Sequence, residues 1–170
     1  MGSGSSGVYG NGGGSQPYAP TYHVVPEMLE KDKADANIYN PQTGYFRNPL
    51  ATTIQDSIVN NHIQMNGHSV NGTYTYVLDN DGNIVFGKRC NINNSRSRAP
   101  HPTLIGGKDP TVQSAGMIHF EKGRISWYDN ESGHFRPNAK SLEKVDEALE
   151  KLRSMYPGIF SKTYSGGRKR

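Results

Sequence analysis

The chain has 170 residues, a formal net charge of +4 at neutral pH and 33% hydrophobic residues. That length suits one compact domain with tails. The single cysteine, Cys90, excludes an internal disulfide, and no apolar run reaches the roughly 18 residues that a membrane-spanning helix needs.

Met1–Pro20 is mostly Gly, Ser, Asn and Pro. Such a segment buries too little apolar surface to offset its ordering entropy, so it is expected to be a flexible leader or appended tag. Residues 21–170 are expected to form a single domain. The N-terminus lacks the charged and then apolar pattern of a signal peptide.

Pro26 to Ala34 reads as a short helix with Pro26 in its first turn. Asn37 to Asn48 reads as a loop, marked by Asn40-Pro41, Thr43-Gly44 and Asn48-Pro49. Leu50, Ile54, Ile58 and Met65 recur at near-helical spacing, so a second helix is expected, capped by Asn48-Pro49 and ended by Asn66-Gly67. Thr73 to Asp79 alternates like a strand and turns at Asn80-Asp81-Gly82 into a partner at Asn83 to Lys88. Cys90 to Pro100 is polar and basic, and its composition is that of an exposed loop. A second hairpin follows, Ser114 to Phe120 and Arg124 to Asp129, with Phe120, Trp127 and Tyr128 as expected core anchors. Ser141 is the expected N-cap of a last helix with the apolar stripe Leu142, Val145, Leu149, Leu152 and Met155, stopped by Pro157-Gly158. The expected fold is therefore α+β, with antiparallel β-hairpins forming a sheet and helices packed on one face.

Two histidine phrases flank the second hairpin: His101 between Pro100 and Pro102, and Ser132-Gly133-His134-Phe135-Arg136-Pro137. The prolines fix the backbone around His101, and Gly133 is expected to let the chain turn sharply at His134. Lys88, Arg89, Arg96, Arg98 and Lys108 lie nearby along the chain, as a phosphate-facing surface or as ordinary solvated charge. Two imidazoles and a guanidinium are a minimal kit for metal-free phosphodiester cleavage. One imidazole takes the ribose 2′-OH proton, the other protonates the leaving 5′-oxygen, and a cation holds the phosphorane charge. His101 and His134 are the candidate catalytic pair, and Arg89, Arg136 and Lys88 the candidate substrate ligands. Equally, the two histidines read as caps of well-packed turns.

Other constellations carry less. His62 and His68 with one Cys make no zinc set, so neither a metal nor a cofactor is expected. Gly106-Gly107-Lys108 lacks the remaining P-loop residues and reads as a turn. Cys90 has basic neighbours but no nucleophile signature around it. His119 alternates with Ile118 and Phe120 and reads as structural. Tyr74, Tyr76, Phe86 and Trp127 read as core before base-stacking groups.

From Tyr74 to Leu152 the residues resemble a domain known in two settings: the C-terminal toxin cargo of bacterial polymorphic proteins of the Rhs type, and the core of plant IQ-motif calmodulin-binding proteins. The resemblance rests on Tyr76-Val77-Leu78-Asp79, His101, Gly106-Gly107, Val112, Ala115-Gly116, Gly123 and Ser132-Gly133-His134-Phe135-Arg136-Pro137. Three positions depart from it. Pro102 and Thr103 stand where small hydroxyl residues are usual, Met117 where Glu often follows Ala-Gly, and Phe135 where Tyr is usual. A mechanism that needs the Glu or the Tyr loses its support, whereas one built on the two histidines keeps it. No IQ motif is present, and Ile54-Gln55 lacks the downstream arginines, so calmodulin binding does not transfer.

The toxin setting implies an effector domain that is secreted or delivered into the cytoplasm of a target cell, with RNA or another phosphate-bearing substrate and a cognate immunity protein as partners. The expected chemistry is that of a metal-independent ribonuclease. ADP-ribosyl transfer is the rival toxin chemistry. It generally needs a Glu on a late strand, and Glu131 is the one glutamate outside the final helix that follows the second hairpin. The plant setting implies instead a non-catalytic protein-binding module.

Overall fold

The computed structural model describes residues 21–48, 51–88, 90–91, 94–98 and 100–169. The leader expected at 1–20 lies outside the described residues, as does Arg89. The fold is α+β. Its centre is a six-stranded sheet, labelled here in chain order: β1 (Thr52–Thr53), β2 (Gly72–Leu78), β3 (Ile84–Gly87), β4 (Ser114–Glu121), β5 (Arg124–Asp129) and β6 (Gly166–Arg168). The spatial order is β6-β5-β4-β2-β3-β1. All pairs are antiparallel except β5 with β6.

Both expected hairpins form, and their turns show why. Gly82 has φ +87°, and Lys122 and Gly123 have φ +50° and +80°. In the second hairpin two successive left-handed residues make the primed turn whose twist matches that of the flanking strands, and in the first Gly82 is the single left-handed residue of a three-residue loop.

The helices are α1 (Pro26–Lys33), α2 (Pro102–Ile105) and α3 (Leu142–Met155). The long α3 lies on one sheet face. There Leu142, Val145, Leu149 and Leu152 join Tyr76, Leu78, Ile118, Phe120, Ile125 and Tyr128 in the main core. A smaller cluster of Val77, Leu104, Val112, Ala115 and Phe135 includes residues of α2 and of the second histidine phrase. Because side chains alternate along a strand, Val77 and Ala115 face away from Tyr76 and Ile118. The second cluster therefore covers the opposite face.

Several expectations are corrected. No helix spans Asn48 to Met65 among the described residues. The segment instead forms β1, a 3₁₀ turn at Gln55–Ser57, and a small antiparallel sheet of Ile58–Val59, His62–Met65 and His68–Ser69. Asn60 and Asn61 have φ +51° and +63°, and Asn66 and Gly67 have φ +55° and +79°. Two primed two-residue turns break the segment into short strands, and Ile54 and Ile63 are still fully buried. Cys90–Asn91 and Asn94–Arg98 pair as a β-ribbon rather than a loop. Ser141 makes no capping bond; its hydroxyl is 2.7 Å from that of Ser114. Met155 is 54% exposed. Trp127 is half-buried and stands outside the core, unlike Phe120 and Tyr128.

Tyr128 is fully buried, and its hydroxyl has no hydrogen-bond partner among the described residues. A buried polar group without a partner costs stability. Tyr128→Phe is therefore expected to be neutral or to raise stability by up to about 1 kcal/mol. Urea unfolding checks this, and a loss beyond about 1 kcal/mol would show that the hydroxyl has a partner.

Candidate functional site

The site forms where β5 peels away from β4. The two strands pair as far as Ile118 opposite Tyr128. Beyond that point side chains take over from the ladder. The Met117 N–H donates to Asp129 Oδ1 at 2.8 Å, and the Gly116 carbonyl lies 2.8 Å from His101 Nε2. Tyr76 donates its phenolic proton to the Asp129 carbonyl at 2.6 Å. The crossing is close. A Cβ on Gly116 would sit 2.1 Å from the Asp129 carbonyl oxygen, so only glycine fits there.

His101 opens the helical turn of α2 and is 7% exposed. A carbonyl oxygen only accepts, so Nε2 carries the proton given to Gly116. In the neutral ring Nδ1 then accepts from the Ser132 hydroxyl at 3.2 Å, and in the protonated ring Nδ1–H donates to the same oxygen. The same Ser132 oxygen accepts the Phe135 N–H at 3.3 Å. Thus one histidine phrase holds the other, across 31 residues of chain. Both ring nitrogens of His101 have partners inside the protein.

His134 is placed differently. Its Nε2 lies 3.2 Å from Asp32 Oδ1 and 3.0 Å from Oδ2. Asp32 is fully buried, in the last turn of α1. An acidic group at a helix C-terminus opposes the macrodipole, and buried carboxylates are rare unless paired. The histidine supplies that pairing. With Nε2–H directed at the carboxylate, the neutral imidazole keeps its lone pair on Nδ1. Two further links tie α1 to this phrase: Val25 N–H to the His134 carbonyl at 2.8 Å, and Arg136 Nη1 to Glu27 at 3.2 Å.

The candidate cations fall out as follows. Arg136 is 54% exposed, also bonds the Gly133 carbonyl through Nε, and has φ +47°. Its ion pair with Glu27 is at the surface and holds it weakly. Lys88 is exposed and follows Gly87, which pairs with Thr75, which in turn pairs with Met117. At about 4.8 Å per strand, that places Lys88 on the order of 10 Å across the sheet from Met117. The arrangement makes two buried pairs, His101 with Ser132 and His134 with Asp32, joined by the chain at Ser132-Gly133-His134.

The chain turns at residues 133–135 as expected, closed by the Arg136 N–H to the Ser132 carbonyl at 2.8 Å, although φ at Gly133 is not positive and a Cβ there would meet nothing within 4 Å. The left-handed residue of the phrase is Arg136. Gly106 and Gly107 also form the turn read from the sequence, with φ +72° and +89°. His119 bonds Thr73 Oγ1 at 2.8 Å and stacks on Trp127.

Sequence reasoning missed Asp32. The one signal was an acid between Lys31 and Lys33 at the end of a helix, where basic residues are favoured. Among the described residues no group of three or more His, Cys, Asp or Glu side chains could hold a metal ion, and no helix is long and apolar enough to cross a membrane. Comparison with protein-family models, curated proteins and solved structures finds no match to the chain.

Proposed function

We propose that the chain is a bacterial effector domain that cleaves RNA without a metal, with His134 as its general base. The observation that carries this reading is the buried Asp32–His134 pair, which fixes the ring and leaves the lone pair on Nδ1, two residues along the chain from exposed Arg136. Nδ1 takes the ribose 2′-OH proton and the 2′-oxygen attacks phosphorus. The 5′-oxygen leaves with the Ser132 hydroxyl proton, which protonated His101 replaces from its Nδ1–H. A 2′,3′-cyclic phosphate and a 5′-hydroxyl result. His101 thus acts through Ser132, as the bond between them supports. Arg136, Lys88 and Arg89 are the proposed phosphate ligands, since guanidinium and ammonium stabilise the developing charge. As implied by the toxin setting, the proposed site of action is the cytoplasm of a target cell, with a cognate immunity protein holding the domain inactive.

Purified protein is expected to degrade single-stranded RNA in the presence of EDTA. His134→Ala should lower the rate by about 10²–10⁴-fold, the usual contribution of a positioned base. Intact RNA at high enzyme concentration, together with transfer of label from NAD to lysate proteins, would replace this reading with ADP-ribosyl transfer. Intact RNA with no transfer would leave a binding module.

A further inference from the structure

The part of the second sheet face beyond α2 and the histidine phrases carries a ladder of planar groups. Ala115, Met117 and His119 alternate on one face of β4, and Ala115 packs there with Phe135, the neighbour of His134. His119 stands opposite Trp127 of β5, and the two rings lie parallel, 6° apart in plane, with centroids at 5.3 Å. On the other flank of β5, Arg168 sets its guanidinium 4.2 Å from the indole centroid. Thr73 fixes the imidazole through its hydroxyl. The residue of β6 opposite Trp127 is Gly166, so no side chain covers the indole from that position. Trp127 and His119 are half-buried, and Arg168 and Lys169 are exposed.

A tryptophan on a central strand ordinarily buries its large apolar surface. This one instead is only partly buried, with a histidine stacked on it and the guanidinium of an exposed arginine over its ring. Stacked π-faces beside guanidinium and ammonium groups suit unpaired bases with their phosphates. Ala115 and His119 are four residues apart, on the order of 13 Å along the strand, so the ladder lies a short reach from the His134 phrase on the same face.

We propose that Trp127, His119 and Arg168 form a stacking subsite for single-stranded RNA. A base displaces the Arg168 guanidinium from the indole, and that guanidinium moves to the adjoining phosphate. The proposal deepens the ribonuclease reading and rests on it for the identity of the ligand. Trp127 is the only tryptophan in the chain, so its emission reports this site alone.

The test titrates the His134→Ala protein with a single-stranded oligoribonucleotide and, separately, with inorganic polyphosphate of equal charge. RNA is expected to quench the emission saturably and polyphosphate to leave it unchanged. Trp127→Ala, followed with labelled RNA, should weaken binding roughly tenfold. Arg168→Glu, an exposed substitution that leaves the core intact, should do the same. Absence of quenching, equal quenching by polyphosphate, or unchanged binding by Arg168→Glu would each overturn the subsite. Saturable quenching by RNA, with a wild-type protein that cleaves nothing, would support the subsite and remove the ribonuclease reading. Cleavage with no quenching would do the reverse.

Discussion

Gly116→Ala is expected to cost about 3 kcal/mol or more of folding stability. The added Cβ would meet the Asp129 carbonyl oxygen at 2.1 Å, its carbon at 2.6 Å and the Asp129 carboxylate at 2.8 Å. These are mainly backbone atoms, with no flexible side-chain end to give way. Asp129 is also held in place by Met117 N–H, Glu131 N–H and the Tyr76 hydroxyl. Relieving the clash must therefore move the end of β5 or the strand beneath it. Either shift disturbs the Gly116 carbonyl that holds His101. The matched control is Gly133→Ala, where nothing lies within 4 Å and φ is not positive; it should stay within about 0.5 kcal/mol of the parent. Paired urea unfolding curves decide the matter. Equal midpoints for the two variants would show that β5 does not cross β4 at Gly116.

Asp32→Ala is the second large effect, and it acts on stability and on chemistry together. It removes the buried acceptor of the His134 Nε2–H, a loss of about 2–4 kcal/mol. It also frees the ring to rotate and to hold its proton on the wrong nitrogen. Removing the orienting carboxylate of a catalytic histidine costs on the order of 10³–10⁴ in rate elsewhere, and a similar fall in RNA cleavage is expected here. Asp32→Asn separates the two consequences. The amide can still offer a carbonyl oxygen to Nε2–H, so most of the stability should remain. It cannot balance the imidazolium that forms when Nδ1 takes a proton, so the rate should still fall. Wild-type cleavage by both variants would remove Asp32 from the machinery and leave it as a strut between α1 and the histidine phrase.

The legible parts of this fold were the ones governed by local rules. Gly82 and Gly123 mark hairpins because their turns need left-handed residues, and the α3 stripe from Leu142 to Leu152 follows helical period. The segment from Asn48 to Met65 misled because Ile54 and Ile58 fit a helical spacing while the decisive signals were Asn60-Asn61 and Asn66-Gly67. Asparagine adopts positive φ readily, and two such turns outweigh a weak apolar period made of β-branched residues. The site was legible as two histidines and illegible as the two pairs they form. Ser132 lies 31 residues from His101, and Asp32 lies 102 residues from His134; no spacing rule connects them. The difference between the two imidazoles, one bonded internally at both nitrogens and the other paired at one, depends on those long-range partners alone.

His134 is proposed to abstract the 2′-hydroxyl proton. An oligodeoxynucleotide carrying one ribonucleotide tests it most directly, because a single 2′-OH is then available. In EDTA the protein should cut once, immediately 3′ of the ribose, and leave a 2′,3′-cyclic phosphate; His134→Ala, folded as judged by its tryptophan emission, should leave the strand whole. Cutting of the all-deoxy strand, cutting by His134→Ala at the parent rate, or an intact strand at stoichiometric enzyme would contradict it.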